Sequence, residues 1–251
     1  MIGKIEQQLL DAAEAKGSAW AILLDPDSSS EEDFLEAGQR AQRVGADVIF
    51  VGGSFMGSPS FTVMTEKLKE ILDIPLVLFP GGASHISKGP DALLFTTLVS
   101  GRNPQYLIDE QVRGSVMISA LGLEPIPTAY CLIDGGQTTA VEYISNTRPI
   151  PADKPKITAV TALAANMMGM RWCYLEAGSG AKNPVPVQHV GMVALGTKMN
   201  VICGGGIRTP EDAAARAQAG AKIIVTGNLW EKVKDEALMI EFAQAIHYKD
   251  A

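Results

Sequence analysis

Residues 201–228 read VICGGGIRTPEDAAARAQAGAKIIVTGN, and the order of segments in this stretch decides the fold class. Asn200 to Cys203 is a short apolar run, the pattern of a buried strand. Gly204, Gly205 and Gly206 follow directly. Thr209-Pro210-Glu211-Asp212 is a helix start, with a capping hydroxyl, proline in the first turn and acids behind it. An alanine-rich helix then runs to Gly220, and Ala221 to Thr226 is a second apolar run ending in Gly227-Asn228. Glycines after a strand let backbone N–H groups approach an anion closely. In an eight-stranded β/α barrel the loops after strands seven and eight commonly hold a phosphate. The same glycines also suit plain tight turns. Because they close both of the last two strand-like runs, Gly205, Gly206, Gly227 and Asn228 are read as phosphate-binding candidates.

Outward from this stretch, strand-like and helical segments alternate along the chain, which calls for a parallel sheet with crossover helices. After an amphipathic first helix, Ala19–Leu24 is strand one, followed by a helix over Glu31–Gly45. Val48–Val51 is strand two, Thr62–Leu72 the next helix and Leu76–Phe79 strand three. The alternation breaks at residues 81–91, GGASHISKGPD, where three glycines and a proline in eleven residues will not hold a normal crossover helix. Strand four begins at Ala92, a helix runs from Gln105 to about Gly114, and strand five is Pro127–Ile133. Asp134–Lys156 is a long Gly-, Thr-, Asn- and Pro-rich stretch of the kind that forms lids or binding loops. Helix five (Ile157–Met170), strand six (Arg171–Leu175), helix six (Pro184–Leu195) and a closing helix (Asn228–Tyr248) complete the count. The expectation is α/β, a single (β/α)8 TIM-type barrel over residues 1–251, with its third outer helix missing or reduced. Such a gap leaves a groove for a long apolar ligand, unless a neighbouring segment fills it.

The chain's 251 residues match one barrel. A net charge of −7 gives no electrostatic footprint for nucleic acid, and no apolar run reaches membrane-spanning length. The N-terminus carries acids where a signal peptide is apolar. Cys131, Cys173 and Cys203 are widely spaced, which argues against a zinc site or disulfide framework and suits the cytosol. His85, His189 and His247 lack metal spacing and read as solvated or locally bonded residues.

Polar residues recur at the C-terminal strand ends, the active face of a barrel. Asp25, in LLDPD, stands equally as a Mg²⁺ ligand and as a turn former before proline. Ser54, after two glycines, could approach a metal or phosphate or simply serve a turn. The sharpest motif is YLEAGSG at 174–180: a glutamate at a strand end, then a loop of small residues. The loop can hold a phosphate while Glu176 accepts a proton, and Tyr174 shares Glu176's strand face. Pairing of Glu176 with an arginine would leave the small-residue loop unexplained.

Taken in order, LLDPD (23–27), VGGS (51–54), LFPGG (78–82), SGRNPQYL (100–107), YLEAGSG (174–180), ICGGGIRTPEDA (202–213) and VTGN (225–228) resemble the geranylgeranylglyceryl phosphate synthases. Ala177-Gly178 departs from the Tyr-x-Glu-Tyr-Ser-Gly loop of the related bacterial heptaprenylglyceryl phosphate synthases. The resemblance implies a barrel lacking its third helix and transfer of geranylgeranyl from its diphosphate to the 3-hydroxyl of sn-glycerol 1-phosphate. It further implies Mg²⁺ at Asp25 and Ser54, and glycerol phosphate held by Tyr174, Leu175, Glu176, Ala177, Gly178, Ser179, Gly180, Gly205, Gly206, Gly227 and Asn228. Glu176, aided by Tyr174, is the expected catalytic base, in a cytoplasmic homo-oligomer. The alternatives are a synthase using another prenyl length, or another phosphate-binding barrel enzyme such as a sugar-phosphate isomerase, which needs no apolar groove.

Overall fold

The structure is a computed structural model that describes residues 2–53, 61–227, 230 and 235–249. Eight parallel strands close into a barrel in chain order: β1 (Ala19–Leu24), β2 (Val48–Val51), β3 (Leu76–Leu78), β4 (Ala92–Thr97), β5 (Glu124–Leu132), β6 (Trp172–Glu176), β7 (Asn200–Gly204) and β8 (Ala221–Thr226). Closure is carried by β1 on β8, with Ala21 opposite Val225 and Ile22 opposite Thr226. Side chains alternate across each strand. In β6, Trp172 and Tyr174 join the barrel interior, whereas Cys173 and Leu175 join the layer between sheet and helices. Glu176 is in phase with Trp172 and Tyr174 and so belongs to the interior face.

Among the described residues the longer helices are α1 (Lys4–Lys16), α2 (Glu31–Arg43), α3 (Phe61–Ile71), α4 (Glu110–Leu121), α5 (Ala140–Ser145), α6 (Pro155–Met167), α7 (Val187–Gly196), α8 (Pro210–Gln218) and α9 (Glu236–Ile246). The cap read at Thr209 is formed: its hydroxyl accepts from the Asp212 N–H, with Pro210 in the first turn. Ser30 does the same for α2 through Asp33. Helix α1 closes the barrel's N-terminal mouth. Its buried Glu6 accepts hydrogen bonds from Arg171 (2.8 and 2.6 Å) and from the Trp172 indole (2.9 Å). The carboxylate of Glu124 caps the same helix through the N–H groups of Ile5 and Glu6.

Between β3 and β4 there is only one 3-10 turn, Ala83–His85; the third outer helix is reduced as the glycines and proline require. Its first N–H, on Ala83, donates to Glu110 Oε2 across the gap at 2.6 Å, so α4 holds the remnant in place.

Two sequence expectations are corrected. The helix after strand four does not stop near Gly114: a π-type turn at Gln105–Asp109 leads into α4, which runs to Leu121. Gly114 serves close approach instead, because a Cβ there would lie 2.6 Å from Ile86 Cδ1; the stop is Gly122, at φ +66°. The stretch 134–156 is not all loop, since α5 lies within it and Ile150 bridges to Ile133. Each histidine has a local partner: the Gly81 N–H for His85, Thr158 and the Ala152 carbonyl for His189, and Asp47 for His247. Ser54, Asn228 and most of residues 228–234 lie outside the described residues.

Candidate active site

The C-terminal ends of the strands surround a cavity of about 640 Å³. Asp25 after β1, Gly53 after β2, Glu176 at the end of β6, Gly205 and Gly206 after β7 and Gly227 after β8 all line it. The barrel thus gathers onto one surface residues as much as two hundred positions apart in sequence. On the other side the cavity runs between the remnant of the third helix and α4, past Ile86, Gly114 and Ile118, and under Val141 and Ile144 of α5. One end is polar and glycine-lined, and the other is apolar.

Glu176 is 5% exposed. Burial is the largest influence on its proton affinity and pushes its pKa up to about 7, against the opposing pull of the Gly178 N–H, the Tyr174 hydroxyl and the Ala177 N–H. The carboxylate is therefore more basic than an ordinary one, because desolvation disfavours its charge. Its Oε1 accepts the Gly178 N–H at 2.8 Å. The Tyr174 hydroxyl lies beside the carboxylate but completes no hydrogen bond of normal geometry among the described residues. Burial and the Glu176 charge keep that phenol's pKa well above its usual value, so it stays protonated and able to donate at neutral pH.

The loop residues divide by what their N–H groups do. Leu175 points into the sheet–helix layer. The Ala177 N–H donates to the Gly204 carbonyl at 3.3 Å and that of Gly178 to Glu176; neither residue lines the cavity, unlike Ser179 and Gly180. Gly205, at φ +79°, passes so close to this loop that a Cβ would overlap Glu176 Oε1 and stand 2.8 Å from the Ala177 nitrogen. The loop residues that border the cavity at this end are thus Ser179, Gly180, Gly205, Gly206 and Gly227.

Asp25 uses Oδ1 to accept the Asp27 N–H at 3.0 Å, the turn role read from its place before proline. Its Oδ2 faces the β2 loop, where a Cβ on Gly53 would lie 2.6 Å away. No group of three or more His, Cys, Asp or Glu side chains suited to a metal exists among the described residues. That donor set fits Mg²⁺ only as the ion is held in phosphate sites, by one or two carboxylates with water and substrate phosphate oxygens completing the shell.

Sequence reasoning missed three contributors. Phe79 stacks on Tyr174 with ring centroids 5.0 Å apart, and Tyr130 sits 5.5 Å from Tyr174 and 6.0 Å from Phe79. Tyr130 lies within a strand rather than at its end; its interior phase, two residues before Leu132 in the barrel core, was the available signal. The third is Arg208, directly after the GGGI run.

The PcrB family pattern matches residues 11–246 of the chain. Proteins named geranylgeranylglyceryl phosphate synthase from Chitinophaga pinensis and Thermococcus kodakarensis are each 42% identical to it. The first alignment covers 98% of this chain and 97% of the relative, the second 92% and 91%. Among solved structures, (S)-3-O-geranylgeranylglyceryl phosphate synthase from Thermoplasma acidophilum, in complex with its substrate sn-glycerol-1-phosphate, superposes with a TM-score of 0.92 at 33% identity. That superposition spans 99% of this chain and all of the other.

Proposed function

The chain belongs to the PcrB family, and from that premise we propose that it moves a geranylgeranyl group from geranylgeranyl diphosphate to the 3-hydroxyl of sn-glycerol 1-phosphate, releasing diphosphate. The observation that carries this reading is one cavity with two chemistries. A buried carboxylate and glycine-lined loops stand at its polar end, and an apolar passage leads out where the third helix is reduced. A sugar-phosphate isomerase needs the first and has no use for the second.

In this reading the phosphate of glycerol phosphate rests against the backbone of Gly180, Gly205, Gly206 and Gly227, and the three-carbon chain reaches toward Glu176. Base and cradle share one short loop, which sets their distance and orients the hydroxyl. Glu176 takes the hydroxyl proton as the new C–O bond forms and the allylic C–O bond breaks. The Tyr174 hydroxyl donates to substrate oxygen or steadies the carboxylate. Asp25, together with Ser54 of the VGGS motif, would hold Mg²⁺, which when bound neutralises charge growing on the departing diphosphate. The prenyl chain lies past Ile86 and Gly114, at about 0.8 kcal/mol for each CH₂ removed from water.

The reading includes a homo-oligomer. The outer faces of α4 and α6 expose apolar side chains, among them Val116 at 76% and Met167 at 79%. We assign them to a second copy of the chain rather than to lipid, since a net charge of −7 is repelled by an anionic bilayer surface. The enzyme is placed in the cytoplasm, where three buried free thiols suit the reducing environment. The deciding experiment offers C15 to C35 prenyl diphosphates with sn-glycerol 1-phosphate and reads products by mass spectrometry. A C20 ether of glycerol phosphate as the main product is expected; absence of any prenyl ether overturns the reading.

A further inference from the structure

The charges around the cavity are unbalanced for the ligands it would take. Among the described lining residues three are carboxylates, Asp25, Glu110 and Glu176, and one is a cation, Arg208. A phosphate monoester brings roughly −1.5 to −2 at neutral pH and the diphosphate brings more. Backbone N–H groups at glycines offer partial charges only. An anion entering beside Glu176 therefore depends heavily on whichever full positive charge stands at that end.

Arg208 is built into that end. Its Nη1 donates to the Lys182 carbonyl at 2.9 Å and its Nη2 to the Ala181 carbonyl at 2.6 Å. Those carbonyls directly follow Gly180, so the guanidinium ties the loop after β6 to the loop after β7. The two loops also touch backbone to backbone, since a Cβ on Gly206 would stand 3.0 Å from the Asn183 carbonyl. A guanidinium has five N–H donors in a fixed plane. Two bonds to carbonyls leave three, on a side chain that itself borders the cavity. Lysine could supply charge but not this planar fork.

We propose that Arg208 binds the phosphate of glycerol phosphate while fixing the spacing of the two loops that cradle it. This rests on the functional reading above. It assigns to the glycine-lined end a side-chain ligand beside the backbone N–H groups.

The test compares Arg208→Gln and Arg208→Lys with the unaltered protein. Calorimetric titration with sn-glycerol 1-phosphate reads binding without needing turnover, and steady-state kinetics read the two substrates separately. Arg208→Gln is expected to weaken glycerol-phosphate binding about 10- to 100-fold, the range for losing a hydrogen bond to a charged group. The KM for prenyl diphosphate should stay within about twofold, and Arg208→Lys should recover part of the loss because charge returns. Free glycerol, used at high concentration as a phosphate-less acceptor, should lose clearly less with Arg208→Gln than glycerol phosphate does, because only the loop-spacing role reaches it. Unchanged glycerol-phosphate binding in Arg208→Gln overturns the proposal. So does an equal loss for glycerol and glycerol phosphate, which makes Arg208 a loop brace only. If the unaltered protein binds glycerol phosphate but transfers no prenyl group, the functional reading fails while the titration still decides Arg208.

Discussion

Glu176 Oε1 accepts the backbone N–H of Gly178 at 2.8 Å, so the candidate base is oriented by the same loop that reaches the cavity at Gly180. The bond also opposes, without cancelling, the burial that lifts the carboxylate to about 7. The Gly178 bond thus fixes the carboxylate's position, while burial sets its basicity.

Replacing Glu176 by Gln should lower kcat by about 10²–10⁴-fold, the usual worth of a general base. Glycerol-phosphate affinity should change little, because Gln keeps shape and can still accept the Gly178 N–H. Steady-state kinetics with a binding titration separate these effects, and near-full kcat in the variant would move the base elsewhere.

The raised proton affinity carries two pH signatures. The base must be ionised to work, so kcat/KM of the free enzyme should rise with pH through an apparent pKa near 7. Stability moves the other way. The folded state holds the Glu176 proton where the unfolded chain, near the ordinary 4.5, has released it, so this group's contribution falls as pH rises from about 4.5 to about 7. Denaturant midpoints at pH 5 and pH 8 should therefore differ less in Glu176→Gln than in the unaltered protein. An identical difference in both would deny Glu176 its raised pKa.

At Asp25, an Asn substitution preserves the oxygen that accepts the Asp27 N–H and so the turn. We expect at least about a 10²-fold loss of magnesium-stimulated rate, in line with losing metal-assisted charge stabilisation, with glycerol-phosphate binding intact. Rates measured against magnesium concentration check this; an unaltered magnesium dependence removes Asp25 from the metal site.

Gly114→Val places carbon where Ile86 Cδ1 already lies, 2.6 Å from the first added atom, and narrows the passage between α4 and the third-helix remnant. Turnover of a C20 diphosphate should fall roughly tenfold or more relative to a C10 or C15 diphosphate, equivalent to about two CH₂ groups of lost burial. Competition between chain lengths, read by mass spectrometry, is the measurement. Equal losses for all lengths would place the chain on another route.

A conservative change tests the cradle. Gly206 sits at φ +71°, where an L-residue costs about 1–2 kcal/mol, and faces the Asn183 backbone. Gly206→Ala should raise the glycerol-phosphate KM by about tenfold and leave prenyl diphosphate affinity nearly intact. Parallel changes in both constants would point to a damaged fold.

The barrel was legible in the sequence because its signals are local. Apolar runs such as Ala221–Thr226, the Thr209-Pro210 helix start and the glycine density of residues 81–91 each act within a few residues of where they stand, so strand count, capping and the reduced third helix follow without tertiary knowledge. Glu176 was legible as a candidate for the same reason, as an acid at a strand end before a small-residue loop. What only the tertiary structure decided depends on residues far apart in the chain. Gly114 reads as a helix stop until Ile86, twenty-eight positions earlier, is seen to need its missing Cβ. The N–H groups of Ala177 and Gly178 look available until Gly204 and the Glu176 side chain are found to use them. Tyr130 carries no motif and Phe79 enters only as part of LFPGG, and they matter because closure of the barrel packs both rings against Tyr174. The basicity of Glu176 belongs to this second class: desolvation is a property of everything that surrounds a carboxylate, and strands from across the whole chain surround this one.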